Sequence, residues 1–316
     1  MIELEDNELV ISFPEIHPDA RASIKLKRTL RIPDDGQTYP LPPGFDNFEL
    51  RHIEDYSDKV PHWQKKGGVM MPMYQSEALW LSFHGNYPIA VKIRTGKINV
   101  IDGTPWNEDS DITKSTIGWD PRRDSHKQDY IVIPDQPWID GYCIGEDLIA
   151  QFVAMPLGLE ATAEEQISGS TEGGMQIQAI PLKANIWEKE LARERAMEAQ
   201  RPRIHYSKGI FAGDMGLSLG GSMKQKIHKD YRHVDDWETS ASSRCWIHIC
   251  NSKNWKEITG EEPPHAPFSA DDYIKRNLPW FDYYSKEQGL GGSEKLKSLK
   301  TISEFPTNNE CFPFNL

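Results

Sequence analysis

The chain is short of cysteine, of long apolar runs and of positive charge. Four cysteines in 316 residues do not make a disulfide framework, which small secreted domains build from denser cysteine. No segment approaches the ~18 consecutive apolar residues that would span a bilayer. Lys and Arg number 36 against 48 Asp and Glu, a net charge of −12. A surface that negative repels phosphate backbones, so nucleic acid is not an expected partner. The opening MIELEDNELV is acidic where a signal peptide would be basic. A soluble protein made in the cytosol is the expectation. Catalytic signatures are missing too: there is no GxSxG and no HExxH.

What is present reads mainly as β. In IKLKRTLRI (24–32), Ile24, Leu26, Leu30 and Ile32 share one parity, while Lys25, Lys27, Thr29 and Arg31 take the other. That alternation predicts a half-buried strand with its cations in water. YPIAVKIRTGKINVIDG (87–103) predicts a hairpin turning at Thr95-Gly96. DLIAQFVAMPL (147–157) is apolar on both faces, as in a strand enclosed between layers, and MQIQAIPL (175–182) reads as another strand.

Helices are fewer. NIWEKELARERAMEAQ (185–200) is rich in helix formers but sparse in apolar positions, which suits a connecting helix. SADDYIKRNL (269–278) and SEKLKSLKTI (293–302) each open on a serine cap. The expected fold is mainly β, a β-sandwich or jelly-roll-like core with a few added helices. Its expected division is a β-rich core (1–184), a connecting helix (185–204), a smaller α+β part packed on the core (205–302) and a tail (303–316).

CWIHIC (245–250) concentrates two cysteines and a histidine. On a strand Cys245 and Cys250 face opposite ways, and on a helix they stand about 140° apart. Neither arrangement lets both bind one tetrahedral zinc. His248 and Cys250 share a strand face, but residues two apart lie about 6.5–7 Å from each other, long for a nucleophile–base pair. GDMGLSLGGSMKQKIHKD (213–230) lacks both the Walker spacing and the dinucleotide fingerprint, so a turn feeding a helix is expected. His228 and His233 are five apart, unlike the pair of a zinc protease. Asn107, Asp109 and Asp111 alternate at a spacing that can collect a hard cation, without the glycine and glutamate of an EF-hand. No cofactor and no metal are expected.

Two features remain. Asp135 and Asp140 flank Trp138 in PDQPWIDG, the pair best placed for sugar chemistry if they converge on one bond. In the tail, Cys311 sits among Phe305, Phe312 and Phe314. An arm crossing to a second subunit would dock those rings and offer Cys311 for an intersubunit disulfide, with Cys250 as the other candidate. A tail folded back on its own domain is the alternative.

RTLRIPDDGQTYPLPPGFDNFELR (28–51), MPMYQSEALWLSF (71–83), QDYIVIPDQPWIDGY (128–142), QFVAMPLG (151–158) and GDMGLSLGGSMKQKI (213–227) are similar to a widespread group of bacterial proteins with fungal relatives. The chain also resembles the octins, fungal crystal proteins of bacterial ancestry that sediment in vacuoles as gravity sensors. That resemblance implies ordered self-assembly, disulfides between subunits, a vacuolar location and no catalysis. It supplies no catalytic residue. The expected function is therefore a non-enzymatic protein that assembles with itself, and the alternative is a carbohydrate-active enzyme or carbohydrate-binding module.

Overall fold

The computed structural model describes residues 1–42, 44–105, 128–198, 213–265 and 290–305. Ten of its strands build the two sheets. In chain order they are β1 (Ile2–Glu5), β2 (Glu8–Ser12), β3 (Arg21–Thr29), β4 (Val69–Pro72), β5 (Ala78–Gly85) and β6 (Ile89–Thr95). Then follow β7 (Leu148–Pro156), β8 (Met175–Pro181), β9 (Gly213–Lys224) and β10 (Ser243–Asn251). The described helices are α1 (Pro61–Gln64), α2 (Ala163–Ser168), α3 (Ala184–Glu198), α4 (Ser252–Thr259) and α5 (Glu294–Lys297).

One sheet runs β1–β2–β3–β5–β7–β9, antiparallel throughout. The other runs β6–β8–β10–β4, with β4 parallel to β10. The first residues of β9 pair with the end of β10, Asp214 opposite Cys250, so one strand joins the two sheets. Between them lies the main core, to which both contribute: Leu9, Leu26, Leu81 and Phe152 from one side, Ile93, Ile177, Ile247 and Met71 from the other. The mainly-β expectation holds. Strands β7 and β8 are enclosed along nearly their whole length; the two-sided apolar pattern of β7 requires this, whereas β8 also buries Gln176 and Gln178.

The sequence after α3 does not stand apart. Strand β9 pairs along most of β7 and β10 pairs with β8, so residues beyond the helix complete the sheets begun before it. Helix α3 itself is tied down by Trp187, which is buried and packs 5.2 Å from Tyr87.

Three local expectations need correction. The cationic face of β3 is not wholly in water: Lys27 and Thr29 are buried, while Lys25, and Arg31 just beyond the strand, are half-buried. A further short strand, Gly44–Asn47, pairs across Lys27 and Thr29 with a register shift, and Phe45 and Phe48 beside it are buried. This strand extends the sheet at the edge of β3, and Phe48 after it lies against Arg28, so long-range partners enclose what a lone strand would expose. Second, the glycine-rich 213–224 stretch is strand β9, not a turn feeding a helix. The β7–β9 register shifts around Gln151, and a Cβ on Gly220 would come within 2.6 Å of Val153. Glycine lets the two strands close at that bulge. Gln151, wholly buried, then accepts from the Ile32 N–H and donates to the Leu30 carbonyl, both at 3.0 Å. Third, the hairpin after β6 turns on Gly96 and Lys97, since Thr95 already pairs with Ile98.

Candidate functional site

CWIHIC lies within β10, and its two cysteines do face opposite ways. Cys245 points into the main core, whereas Cys250 packs with Ile53, Val60, Met70 and Trp255 behind the sheet. Burial pushes the Cys245 and Cys143 thiols up to about 12, so both stay protonated and poorly nucleophilic. Cys143, Cys245 and Cys250 are all buried thiols. Cys250, 0% exposed, presents no sulfur to another subunit, which removes it as an intersubunit disulfide candidate.

His248 is not engaged as the base of a Cys–His pair. Its Nε2 lies 3.0 Å from the Gly67 carbonyl oxygen, which only an N–H donor satisfies, leaving Nδ1 as the acceptor. Burial pushes its pKa down to about 4. The ring stacks on Trp63 at 4.8 Å and runs nearly parallel to Trp246 at 6.1 Å.

A cleft is built around this histidine. Helix α1 begins with Pro61 at its first turn, where the missing N–H costs nothing. It carries Trp63 over His248, and the turn after it carries the Lys66 ammonium to 4.1 Å from the Trp246 ring centre, a cation–π contact. Such close seating requires glycine: a Cβ on Gly68 would meet the Trp246 carbonyl oxygen at 2.2 Å. The opposite wall is the 171–174 segment, where Gly174 (φ +86°) similarly lies against the Ile247 carbonyl. Glu172 projects there between two lysines, with Lys66 Nζ at 2.6 Å from one oxygen and Lys97 Nζ at 3.2 Å from the other. Partial burial raises its pKa, but the two lysines outweigh that and hold it below the usual carboxylate range. His62, Trp63, Lys66, Glu172, Gly174 and His248 are among the residues around a cavity of about 370 Å³.

The sugar-chemistry trio does not converge. Asp140 is 2% exposed and its oxygen accepts from Gln225 Nε2 at 3.1 Å. Burial, opposed by that bond, pushes its carboxyl up to about 7. Asp135 is exposed and accepts from Arg232 at 2.8 Å. It lines a cavity of about 540 Å³ with Glu190, Arg193, Tyr231 and Arg232, among others, but not with Trp138 or Asp140. Trp138 meets Trp80 edge-on at 6.5 Å. One carboxylate faces water and the other the interior, so they do not flank a common bond.

The tail begins on its own chain. Phe305 packs against the cluster of Ala78, Val153, Met155, Ala161 and Ile302, the Ser303 N–H donates to Asp34 at 3.0 Å, and Lys300 lies 5.8 Å from the Phe305 ring centre. Phe305 is thus an anchor within the subunit rather than a ring carried to a neighbour. Cys311, Phe312 and Phe314 lie outside the described residues, as do Asn107, Asp109, Asp111 and the 269–278 segment. His233 Nδ1 accepts from the Asp235 N–H, a cap of its own turn. Among the described residues no group of three or more His, Cys, Asp or Glu is placed to hold a metal ion, and no helix is long and apolar enough to cross a membrane.

Sequence patterns pointed to His248 but not to Trp63, Lys66 or Glu172. The only signal for Trp63 and Lys66 was PHWQKKGG, an aromatic and two lysines ahead of a glycine pair, and Glu172 sits in the SGSTEGG loop, which carried none. No family model, curated protein or solved structure matches this chain.

Proposed function

We propose that this protein is a non-enzymatic structural protein that associates with itself, as homo-oligomers or an ordered lattice, reinforced by a disulfide through Cys311. The observation that carries it is the disposition of thiols. Cys143, Cys245 and Cys250 are enclosed, so a cross-link between folded subunits falls to Cys311, which follows the anchored Phe305 along the chain. An arm needs a fixed root, and the packing of Ile302 and Phe305 provides one. Two of the ionisable groups that looked like chemistry support the same view. Asp140 and His248 are bonded to Gln225 and to the Gly67 carbonyl, which are structural engagements. The resemblance to crystal-forming proteins agrees. Its vacuolar setting would be acidic, and protonation of carboxylates there would lessen the repulsion of a chain carrying −12.

Particle mass by light scattering, with and without reductant, tests this on wild type and on Cys311→Ser. A large species that loosens on reduction and in the variant is expected. A monomer indifferent to both overturns the proposal.

A further inference from the structure

We propose that the cleft between α1 and β10 binds a saccharide, one hexose-sized unit seated against Trp63 with its hydroxyls on Lys66 and Glu172. This goes beyond self-association and uses none of the residues assigned to it.

The cavity, about 370 Å³, falls within the roughly 300–1,000 Å³ of small-ligand sites. Its aromatic element is fixed in advance. Trp63 is half-buried and held by its stack on His248, and that ring is held by Gly67. A rigid indole presents a large apolar surface at little conformational cost, which suits the C–H face of a pyranose.

The polar elements select hydroxyls over ions. A sugar hydroxyl both donates and accepts, so neighbouring hydroxyls are satisfied by a donor-only group beside an acceptor-only group. Lys66 and Glu172 are such a pair, 2.6 Å apart. The ammonium has protons beyond the one directed at Glu172, and the carboxylate has lone pairs beyond those taken by the lysines. Lys66 and Glu172 cancel each other's charge, Lys97 on the far oxygen leaves one positive charge over, and His248, bonded to the Gly67 carbonyl, adds none at neutral pH. A free cation would meet Lys66 and a free anion Glu172, whereas a neutral polyol meets a partner for each role. Lys97 holds the far oxygen of Glu172, and Gly68 and Gly174 hold both walls against β10. The geometry is preformed, as a binding site requires.

The test is a glycan array of neutral and acidic oligosaccharides, followed by titration of the strongest hit by tryptophan fluorescence. Wild type, Trp63→Ala, Glu172→Gln and Trp138→Ala are compared in reductant, so that disulfide cross-linking does not enter. A neutral glycan is expected to bind, with affinity falling about ten-fold or more in Trp63→Ala and Glu172→Gln and unchanged in Trp138→Ala. Glu172→Gln keeps the shape and removes only the charge, so it decides the matter if Trp63→Ala misfolds. Absence of binding to any glycan at millimolar concentration overturns the proposal. So does binding that Glu172→Gln leaves unaltered, or a preference confined to charged glycans.

Discussion

The guanidinium of Arg28 lies 3.9 Å from the carboxylate of Glu77, and neither side chain is more than 7% exposed. Arg28 comes from β3 and Glu77 is the residue before β5, so the pair ties adjacent strands beside Phe48. The Phe48 ring lies 5.7 Å from the guanidinium carbon. Burial pushes Arg28 down to about 9, with Glu77 opposing, and the side chain still carries its charge at neutral pH. Burial also pushes the Glu77 carboxyl well up, against the pull of Arg28, so at neutral pH Glu77→Gln exchanges one neutral side chain for another of the same shape. It should destabilise by only about 1 kcal/mol, read as a slightly lower urea midpoint. A loss of several kcal/mol would show that the carboxyl is ionised and paired in the folded state.

Asp140 makes stability fall as pH rises. Its folded pKa of about 7 lies above the ordinary 3.8, so the native state holds a proton that the unfolded state has lost. The stability it contributes is full below about pH 3.8 and diminishes through the window up to about 7. The limit is on the order of 4 kcal/mol. Asp140→Asn should flatten that part of the pH profile in urea titrations, and an identical slope in both proteins would refute it.

His248 acts in the opposite sense. Its folded pKa, about 4 against 6.5, means that the unfolded chain takes up a proton first as pH falls. Stability should decline between about pH 6.5 and 4, partly offsetting the gain from Asp140 in the same range. His248→Gln should remove this decline at some cost in overall stability, because the stack on Trp63 is lost. Thermal melts at pH 7.5, 5.5 and 4.5 would separate the two effects.

The cysteines should divide by burial. Cys311→Ser is expected to reduce disulfide-linked species on non-reducing gels while leaving the melting temperature of the monomer nearly unchanged. Cys250→Ser should do the reverse, leaving cross-linking intact and lowering stability by about 1–3 kcal/mol, because a hydroxyl then replaces a thiol in an enclosed apolar cluster. Cross-linking lost in Cys250→Ser would contradict its enclosed position.

Much of the fold was legible because strand signals are local. The parity of CWIHIC placed its cysteines on opposite faces, and the two-sided apolar run of β7 marked it as an enclosed strand. Parity failed where a covering element came from elsewhere. Lys27 looked solvated because nothing within β3 announces the strand that pairs beside it and carries Phe45. The glycines of β9 looked like a turn because only the facing bulge at Gln151 shows what they are for.

Composition and periodicity determined by themselves that this is a mainly-β chain with an acidic surface and too few thiols for a disulfide scaffold. These are properties of neighbours in sequence and of totals. Tertiary structure alone decided which polar residues are enclosed and which converge. His248 meets Gly67 across 181 positions of chain, and Asp140 meets Gln225 across 85. Contacts of that span depend on strand order and register, which no local pattern encodes. For the same reason Asp135 and Asp140, close in sequence, face different surroundings, while Trp63, Glu172 and His248, far apart in sequence, share one cleft.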